Sequence, residues 1–147
     1  MVLAARRFRP RIRNVVDTNS AEASFIAVVD DDSRILQSLE SLLESAGYNV
    51  AVFSSGEAFL QSKAVIAANC LVTDIRMPNV DGLELQRRVK RQRPELPIIF
   101  MTAHCDADEI ERRVVADGAA GFLRKSFSGS EFLKAIRHAL GEPSARH

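Results

Sequence analysis

The residues of this sequence that could do chemistry stand directly after short apolar runs. Three adjacent carboxylates, Asp30, Asp31 and Asp32, follow the apolar run at 25–29. Two unit charges about 4 Å apart repel each other by roughly 4 kcal/mol at an effective dielectric constant of about 20. We therefore expect a positive charge close to these carboxylates in the folded chain.

Asp74, Thr102 and Lys125 each stand at or just after the end of a later apolar run. If Asp74 lies near Asp30 and Asp31, three carboxylates offer oxygen ligands to a hard divalent cation. Mg²⁺ fits this arrangement, because it is typically bound through one or two carboxylates plus a phosphate. A cation, a lysine ammonium and a hydroxyl around one carboxylate are suited to phosphoryl transfer onto that carboxylate. The candidate chemistry is therefore Mg²⁺-dependent phosphorylation of Asp74.

Alternating strands and helices are expected to position these residues. The predicted strands are the apolar runs at 25–29, 50–53, 70–74, 97–102 and 121–124. Five helices are predicted, over 33–46, from 54 to about 63, over 82–92, over 106–117, and from 128 onward. Ser54 and Ser128, each followed three residues later by glutamate, have the spacing of a capping box. Ile110, Val114 and Val115 are predicted to share the inner face of their helix.

Such an alternation predicts a parallel sheet covered by helices on both faces, with right-handed crossovers. In open sheets of this kind, ligands bind beyond the carboxyl ends of the strands. All five candidate residues, Asp30, Asp31, Asp74, Thr102 and Lys125, fall at that edge. The pattern therefore places the candidate chemistry where this fold class holds its ligands.

Composition bounds the remaining possibilities. A chain of 147 residues with 46% hydrophobic content is predicted to form one domain with a real core. The net charge of +1 gives no whole-protein argument for binding nucleic acid or anionic membrane. Cys70 and Cys105 match no metal or disulfide spacing and are interpreted as buried or semi-buried thiols in a reducing, cytoplasmic compartment. No apolar run is long enough for a membrane span or arranged as a signal peptide.

Residues 1–24 differ in composition from the rest of the chain. They carry five arginines and two acids, a net charge of +3, which leaves −2 for residues 25–147. A charge run without periodicity is predicted to be a disordered, solvated arm. Contact of this arm with nucleic acid or anionic lipid stays open as the alternative.

Four motifs, in this order and spacing, carry a family resemblance: "VVDDDSRIL", "LVTDIRMPNVDGLEL", "PIIFMTAHCD" and "GFLRKSF". Over residues 25 to about 140 the chain resembles the receiver domain of bacterial two-component response regulators. The resemblance implies that Asp74 is the phosphoacceptor. It also implies that Asp30 and Asp31 hold Mg²⁺ together with Asp74 and the backbone carbonyl of Arg76.

The same resemblance assigns roles around the acceptor. Thr102 is implied as the switch hydroxyl, and Lys125 as the cation that pairs with the acceptor and then with its phosphate. Phe122 matches the aromatic switch position, although a plain core phenylalanine fits the sequence as well. Arg76 and His104 are expected to flank the phosphate and to influence how fast it is lost; a solvated surface pair is the alternative.

The resemblance also implies a fold and partners. The fold is a flavodoxin-like, doubly wound, five-stranded parallel sheet of order 2-1-3-4-5 with five helices, over residues 25–141, followed by a short tail at 142–147. The phosphoryl donor is a sensor histidine kinase or a histidine phosphotransfer protein. Phosphorylation remodels the fourth predicted helix (106–117), the fifth strand (121–124) and the fifth helix (from 128), and a homodimer can form through this face. Contact of this domain with nucleic acid or membrane is not expected.

One residue departs from the family pattern. The position after Lys125, usually a proline after a cis peptide bond, is Ser126. A cis bond before a non-proline residue costs about 2.5 to 4 kcal/mol, so we predict a trans bond. This departure is the one support for a degenerate receiver that is never phosphorylated.

Other functions remain as alternatives at this point. An aspartyl phosphatase would need an acid two residues after the nucleophile, where this chain has Arg76. A flavoprotein of similar topology would want glycine and hydroxyls, not acids, after the first strand. As a receiver, the chain is either a stand-alone module or the receiver part of a transcriptional regulator.

Overall fold

The computed structural model describes residues 23–103 and 107–142. Five parallel strands form one sheet in the order β2-β1-β3-β4-β5, as predicted. They are β1 (Phe25–Val29), β2 (Asn49–Phe53), β3 (Cys70–Asp74), β4 (Ile98–Thr102) and β5 (Gly121–Arg124). β1 and β3 are paired as neighbours in the sheet, and the strand order reverses between them.

Six helices connect and follow the strands in the described part of the chain, one more than predicted. They are α1 (Ser33–Ser45), α2 (Gly56–Leu60), α3 (Ala64–Ala67), α4 (Gly82–Gln92), α5 (Ala107–Ala116) and α6 (Gly129–Ala139). The extra helix is α3, which was not predicted: it follows the segment predicted as a helix from Ser54 to about Lys63, and within that segment only α2 forms.

The start of α2 also differs from the prediction by one residue. Ser55, not Ser54, caps this helix: its backbone is extended, and its hydroxyl accepts a hydrogen bond from the Ala58 N–H. Two adjacent serines offer alternative caps, and the spacing to Glu57 favoured the wrong one. The capping box at Ser128 and Glu131 is confirmed, with both of its hydrogen bonds formed.

Two hydrophobic clusters cover the two faces of the sheet. One contains side chains of α2, α3, α4 and α5, among them Phe59, Leu85 and Val114, and all three are fully buried. The other contains side chains of α1 and α6, among them Leu43 and Phe132. Because successive strand residues point to opposite faces, each strand contributes to both clusters. The core therefore covers both faces of the sheet, and β1, β3 and β4 are buried along their whole length.

Two further predictions can be compared with the structure. Val115, predicted to face inward with Val114, is 52% exposed, because α5 buries only the stripe that includes Ile110 and Val114. Cys70 is a buried free thiol, as interpreted, and burial raises its pKa to about 12. Such a thiol is almost never deprotonated at neutral pH and is a poor nucleophile.

Several predictions concern residues outside the described part of the chain. They include nearly all of the arginine-rich arm, His104, Cys105 and the tail beyond residue 142. Every peptide bond among the described residues is trans, including Lys125–Ser126, which confirms that prediction. None of the described helices combines the length and apolar character that crossing a bilayer requires.

Candidate functional site

The three consecutive acids after β1 occupy three different environments. Asp30 is fully buried, and its Oδ1 accepts a hydrogen bond of 2.9 Å from the backbone N–H of Asp32. Asp31 is exposed at the surface of the same edge. Asp32 is the N-cap of α1, and its carboxylate accepts a hydrogen bond of 2.9 Å from the Arg34 N–H. Asp32 therefore serves as the cap of α1.

The register of the sheet brings Asp74 beside Asp30. Val29 pairs with Thr73 across β1 and β3, so the next residue on each strand occupies the same level of the sheet. Asp74 is buried, with 6% of its surface exposed. The tight core thus holds two carboxylates together at the switch in strand order.

The loop from β3 to α4 folds back onto the end of β3. The Gly82 N–H donates a hydrogen bond of 2.8 Å to the Ile75 carbonyl, and a Cβ at Gly82 would stand 2.4 Å from the Asp74 carbonyl oxygen. Only glycine permits this approach of backbone to backbone. Asp81 then caps α4 by accepting from the Glu84 N–H. The loop that contains Arg76 is consequently anchored at both ends.

β4 and β5 supply the remaining candidates. Thr102, 1% exposed, ends β4 one residue beyond the partner of Asp74, and its carbonyl accepts a hydrogen bond from the Lys125 N–H. The Lys125 ammonium lies 2.8 Å from Asp30 Oδ2 and 3.3 Å from Asp74 Oδ2. Lys125 thus reaches from the edge strand across β4 to the two central strands.

Burial and mutual repulsion shape the charge states of this site. Desolvation raises the pKa of Asp74, and the charge of Asp30 raises it further, while Lys125 partly opposes both effects. Burial disfavours the charged form of Lys125, but its close contacts with the Asp30 and Asp74 carboxylates outweigh this effect, so the lysine pKa is raised. One ammonium therefore balances two carboxylates incompletely, and a negative charge remains.

The residues present fit a divalent cation. Carboxylate oxygens of Asp30, Asp31 and Asp74 lie within 4.8 Å of one another. The Oδ2 atom of Asp30 is buried and accepts no hydrogen bond of acceptable geometry, although Lys125 faces it as an ion-pair partner. An all-oxygen donor set with excess negative charge is what Mg²⁺ prefers.

The remaining candidates are Phe122, Arg76 and His104, and they are less directly connected with the acidic cluster. Phe122 is half-buried on β5 and packs against the cluster that contains α4 and α5. Arg76 is exposed in the loop after Asp74. His104 lies outside the described residues.

The contact between Lys125 and Asp30 exceeds what the sequence indicated. The prediction paired Lys125 with Asp74 and gave Asp30 only a share of its charge, whereas Lys125 is closer to Asp30. Asp30 is the fully buried residue among the three acids, and a fully buried carboxylate needs a partner. This burial explains why Lys125 contacts Asp30. No pattern in the sequence distinguishes Asp30 from Asp31 in burial.

Comparisons with known proteins agree with the geometry. The family model described as the response regulator receiver domain matches residues 26–137. Response regulator protein TodT of Pseudomonas putida is 41% identical over 121 residues, which cover 82% of this chain and 53% of TodT. Transcriptional regulatory protein FixJ of Bradyrhizobium diazoefficiens is 38% identical over 123 residues, which cover 82% of this chain and 60% of FixJ. The chain spans little more than half the length of these relatives.

Solved structures show the same fold. The crystal structure of FixJ-N superposes with a TM-score of 0.73 at 31% identity, covering 86% of this chain and all of that one. The likeness therefore extends over the whole of that structure and over most of this chain.

Proposed function

This chain belongs to the response regulator receiver domain family, and from that membership we propose that Asp74 accepts a phosphoryl group. The donor is a phosphorylated histidine on a sensor histidine kinase or a histidine phosphotransfer protein. The observation that carries the proposal is the buried Asp74 held between a carboxylate pair and the Lys125 ammonium. The reaction takes place in the cytoplasm, where such donors act.

In the proposed step, a carboxylate oxygen of Asp74 attacks the phosphorus of the phosphohistidine. An oxygen–phosphorus bond forms, the phosphorus–nitrogen bond breaks, and the imidazole leaves with the electron pair of that bond. Asp30, Asp31, Asp74 and the Arg76 carbonyl would hold Mg²⁺, which when bound neutralises charge on the phosphoryl oxygens. Lys125 supplies the second positive charge and remains protonated, because its raised pKa keeps the ammonium form.

The same residues would convert phosphorylation into a change of surface. A phosphoryl group adds about 1.5 to 2 negative charges at neutral pH. Lys125 then has a stronger partner than Asp30, and Thr102, one strand away, supplies a hydroxyl donor. Rearrangement of either residue acts on α5, β5 and α6, since Thr102 precedes α5 and Lys125 lies between β5 and α6. We propose this surface as the output face and as the place where a homodimer can form.

The wild-type chain is expected to gain one phosphoryl group when it is incubated with acetyl phosphate and Mg²⁺. Intact mass spectrometry measures the adduct, and EDTA in place of Mg²⁺ is the control. Hydroxylamine should remove the group, because it cleaves acyl phosphates. Absence of any adduct, under conditions in which another receiver is labelled, would contradict the proposal and favour a degenerate receiver.

Arg76 is expected to influence the loss of the phosphoryl group. It is exposed two residues after Asp74, in the anchored loop. We expect Arg76→Ala to change the dephosphorylation rate about threefold or more, because a charged hydrogen bond to a phosphate is worth more than a neutral one. The measurement is the decay of labelled protein after removal of acetyl phosphate, with His104→Ala in parallel. Unchanged decay in both variants would show that neither side chain flanks the phosphate.

The output of the whole protein follows from its relatives only as a proposal. FixJ is a transcriptional regulatory protein, and the chain matches 60% of it. We propose that the domain serves either as the receiver part of such a regulator or as a stand-alone receiver that acts by protein contacts.

A further inference from the structure

The loop between β3 and α4, residues 75–81, is held in its middle as well as at its two ends. Ile75, Met77 and Val80 are buried, whereas the Arg76 side chain between the first two is exposed. Buried apolar side chains are close-packed and resist displacement. The backbone of Arg76 is therefore fixed by the packing of its neighbours.

Asn79 gives the loop a turn just before its last buried side chain. Its φ is 66°, and it is the one residue other than glycine with a positive φ in the described part of the chain. Asparagine and glycine adopt this left-handed conformation readily, whereas a β-branched residue rarely does. The next residue, Val80, lies in the hydrophobic cluster that contains Phe53 and Phe59.

Val80 packs against the first residue of α2. A Cβ at Gly56 would stand 3.1 Å from Val80 Cγ1 and 3.2 Å from the Val80 carbonyl oxygen. Both distances are shorter than ordinary van der Waals contact, so the glycine lets α2 and the loop approach each other directly. The carboxylates of the acidic cluster come from the ends of β1 and β3, not from α2. α2 nevertheless supports the loop that follows Asp74.

We propose that Asn79, Val80 and Gly56 are positioning residues for the Mg²⁺ site. This inference rests on the proposed function, in which the Arg76 carbonyl is a ligand of the cation. A backbone carbonyl has no side-chain rotamers through which it can adjust, so its position follows that of the loop. The turn at Asn79 and the contact of Val80 with α2 set that position. Residues that orient metal ligands typically contribute about 10-fold to 100-fold to metal affinity.

Titration of ¹⁵N-labelled protein with Mg²⁺, without a phosphoryl donor, tests the turn. Asn79→Val should raise the Kd for Mg²⁺ about tenfold or more, because valine disfavours a positive φ. Asn79→Gly should keep the Kd within about twofold of the wild type, because glycine adopts the same φ without strain. An unchanged Kd in folded Asn79→Val, or equal weakening by both substitutions, would overturn the proposal. If Asn79→Val does not fold, Asn79→Ala replaces it in the same comparison.

Gly56→Val tests the contact from α2. The new side chain would collide with Val80, so the Kd for Mg²⁺ should rise about tenfold, and Gly56→Ala should give a smaller rise in the same direction. Gln61→Val is the matched control, because it places the same side chain at the exposed end of α2. Its Kd should stay within about twofold of the wild type, as for an ordinary surface substitution. Equal Kd values in Gly56→Val and Gln61→Val would exclude α2 from the positioning of the loop.

Tyr48→Phe distinguishes positioning from a general loss of stability. It removes the hydrogen bond of 3.0 Å from Tyr48 to Glu142, which lies at the edge of the sheet opposite the acidic cluster. Urea denaturation without Mg²⁺ should show a less stable protein, whereas the Kd for Mg²⁺ of the folded form should equal that of the wild type. If the loop variants behave in the same way, their role is structural only and the proposal is overturned.

Asp31→Ala separates a failure of this inference from a failure of the proposed function. If the wild type shows no saturable Mg²⁺-dependent shifts near Asp30 and Asp74, the metal site itself is wrong and the positioning role falls with it. If the wild type binds Mg²⁺ and Asp31→Ala does not, the metal site stands. Wild-type affinity in the Asn79 and Gly56 variants would then overturn the positioning role alone.

Discussion

Asp74→Asn is expected to accept no phosphoryl group from acetyl phosphate and Mg²⁺ under conditions that label the wild type. The amide oxygen of asparagine is not an anionic nucleophile, whereas the carboxylate of aspartate is. The substitution preserves the size of the side chain and leaves Lys125 paired with Asp30 at 2.8 Å. Intact mass spectrometry should therefore show unmodified protein, and an adduct of unchanged amount would exclude Asp74 as the acceptor.

The same substitution is expected to stabilise the fold in the absence of Mg²⁺. Desolvation and the charge of Asp30 raise the pKa of Asp74, so the folded state binds this proton more tightly than the unfolded state. A raised carboxylate pKa means that stability falls as pH rises through the unfolded and then the folded pKa of the group. Asparagine avoids that loss, because it stays neutral.

Urea denaturation at several pH values measures this effect. The two proteins should be close in stability at acidic pH, and the variant should be more stable at neutral pH by about 1 kcal/mol, a typical size for a single substitution. Lys125 does not obscure the comparison, since its raised pKa places its titration above the neutral range. A variant less stable than the wild type at neutral pH would mean that Lys125 compensates both carboxylates fully.

The sheet edge could be predicted because three independent signals agree there. Short apolar runs marked the strands, helical spacing marked the crossovers, and the parallel topology required the ends of the runs to meet. β1, β3 and β5 have the predicted bounds, and the strand order is the one that the resemblance implied. Asp30 and Asp74 could therefore be placed side by side before any coordinate was known.

Other features could not be predicted because they depend on tertiary packing. Ser54 and Ser55 are adjacent residues of the same type, and the spacing to Glu57 favoured Ser54 although Ser55 forms the cap. Val114 and Val115 have the same hydrophobicity, but α5 buries only one of them. Gln86 stands next to Leu85 in a helix whose other inner residues are apolar, so nothing in its type indicated burial. The residues that end a strand can be identified from the local sequence. The burial of a helix residue such as Gln86 depends on the elements that pack against the helix, which the local sequence does not show.

The acids after β1 allow a test in which neighbouring residues have opposite expected effects. Asp31→Ala should slow the Mg²⁺-dependent labelling of Asp74 at least about 100-fold, because a bound cation contributes several kcal/mol to charge stabilisation in the transition state. Asp32→Ala should alter labelling less than about threefold, and should cost about 1 kcal/mol of stability through loss of the α1 cap. Initial rates of labelling at several Mg²⁺ concentrations measure the first effect, and urea denaturation measures the second.

The structural reason for these opposite effects is that Asp31 and Asp32 differ in their exposure and in their hydrogen bonding. The Asp32 carboxylate accepts a hydrogen bond from the Arg34 N–H. Asp31 is exposed, and its carboxylate lies close to those of Asp30 and Asp74. Mg²⁺ should accordingly stabilise the wild type and Asp32→Ala against unfolding, since a ligand of the folded state shifts the equilibrium by mass action. Asp31→Ala should lose most of that stabilisation. Equal Mg²⁺ stabilisation of all three proteins would show that the cation binds elsewhere. It would then not supply the positive charge that offsets the repulsion between Asp30 and Asp31.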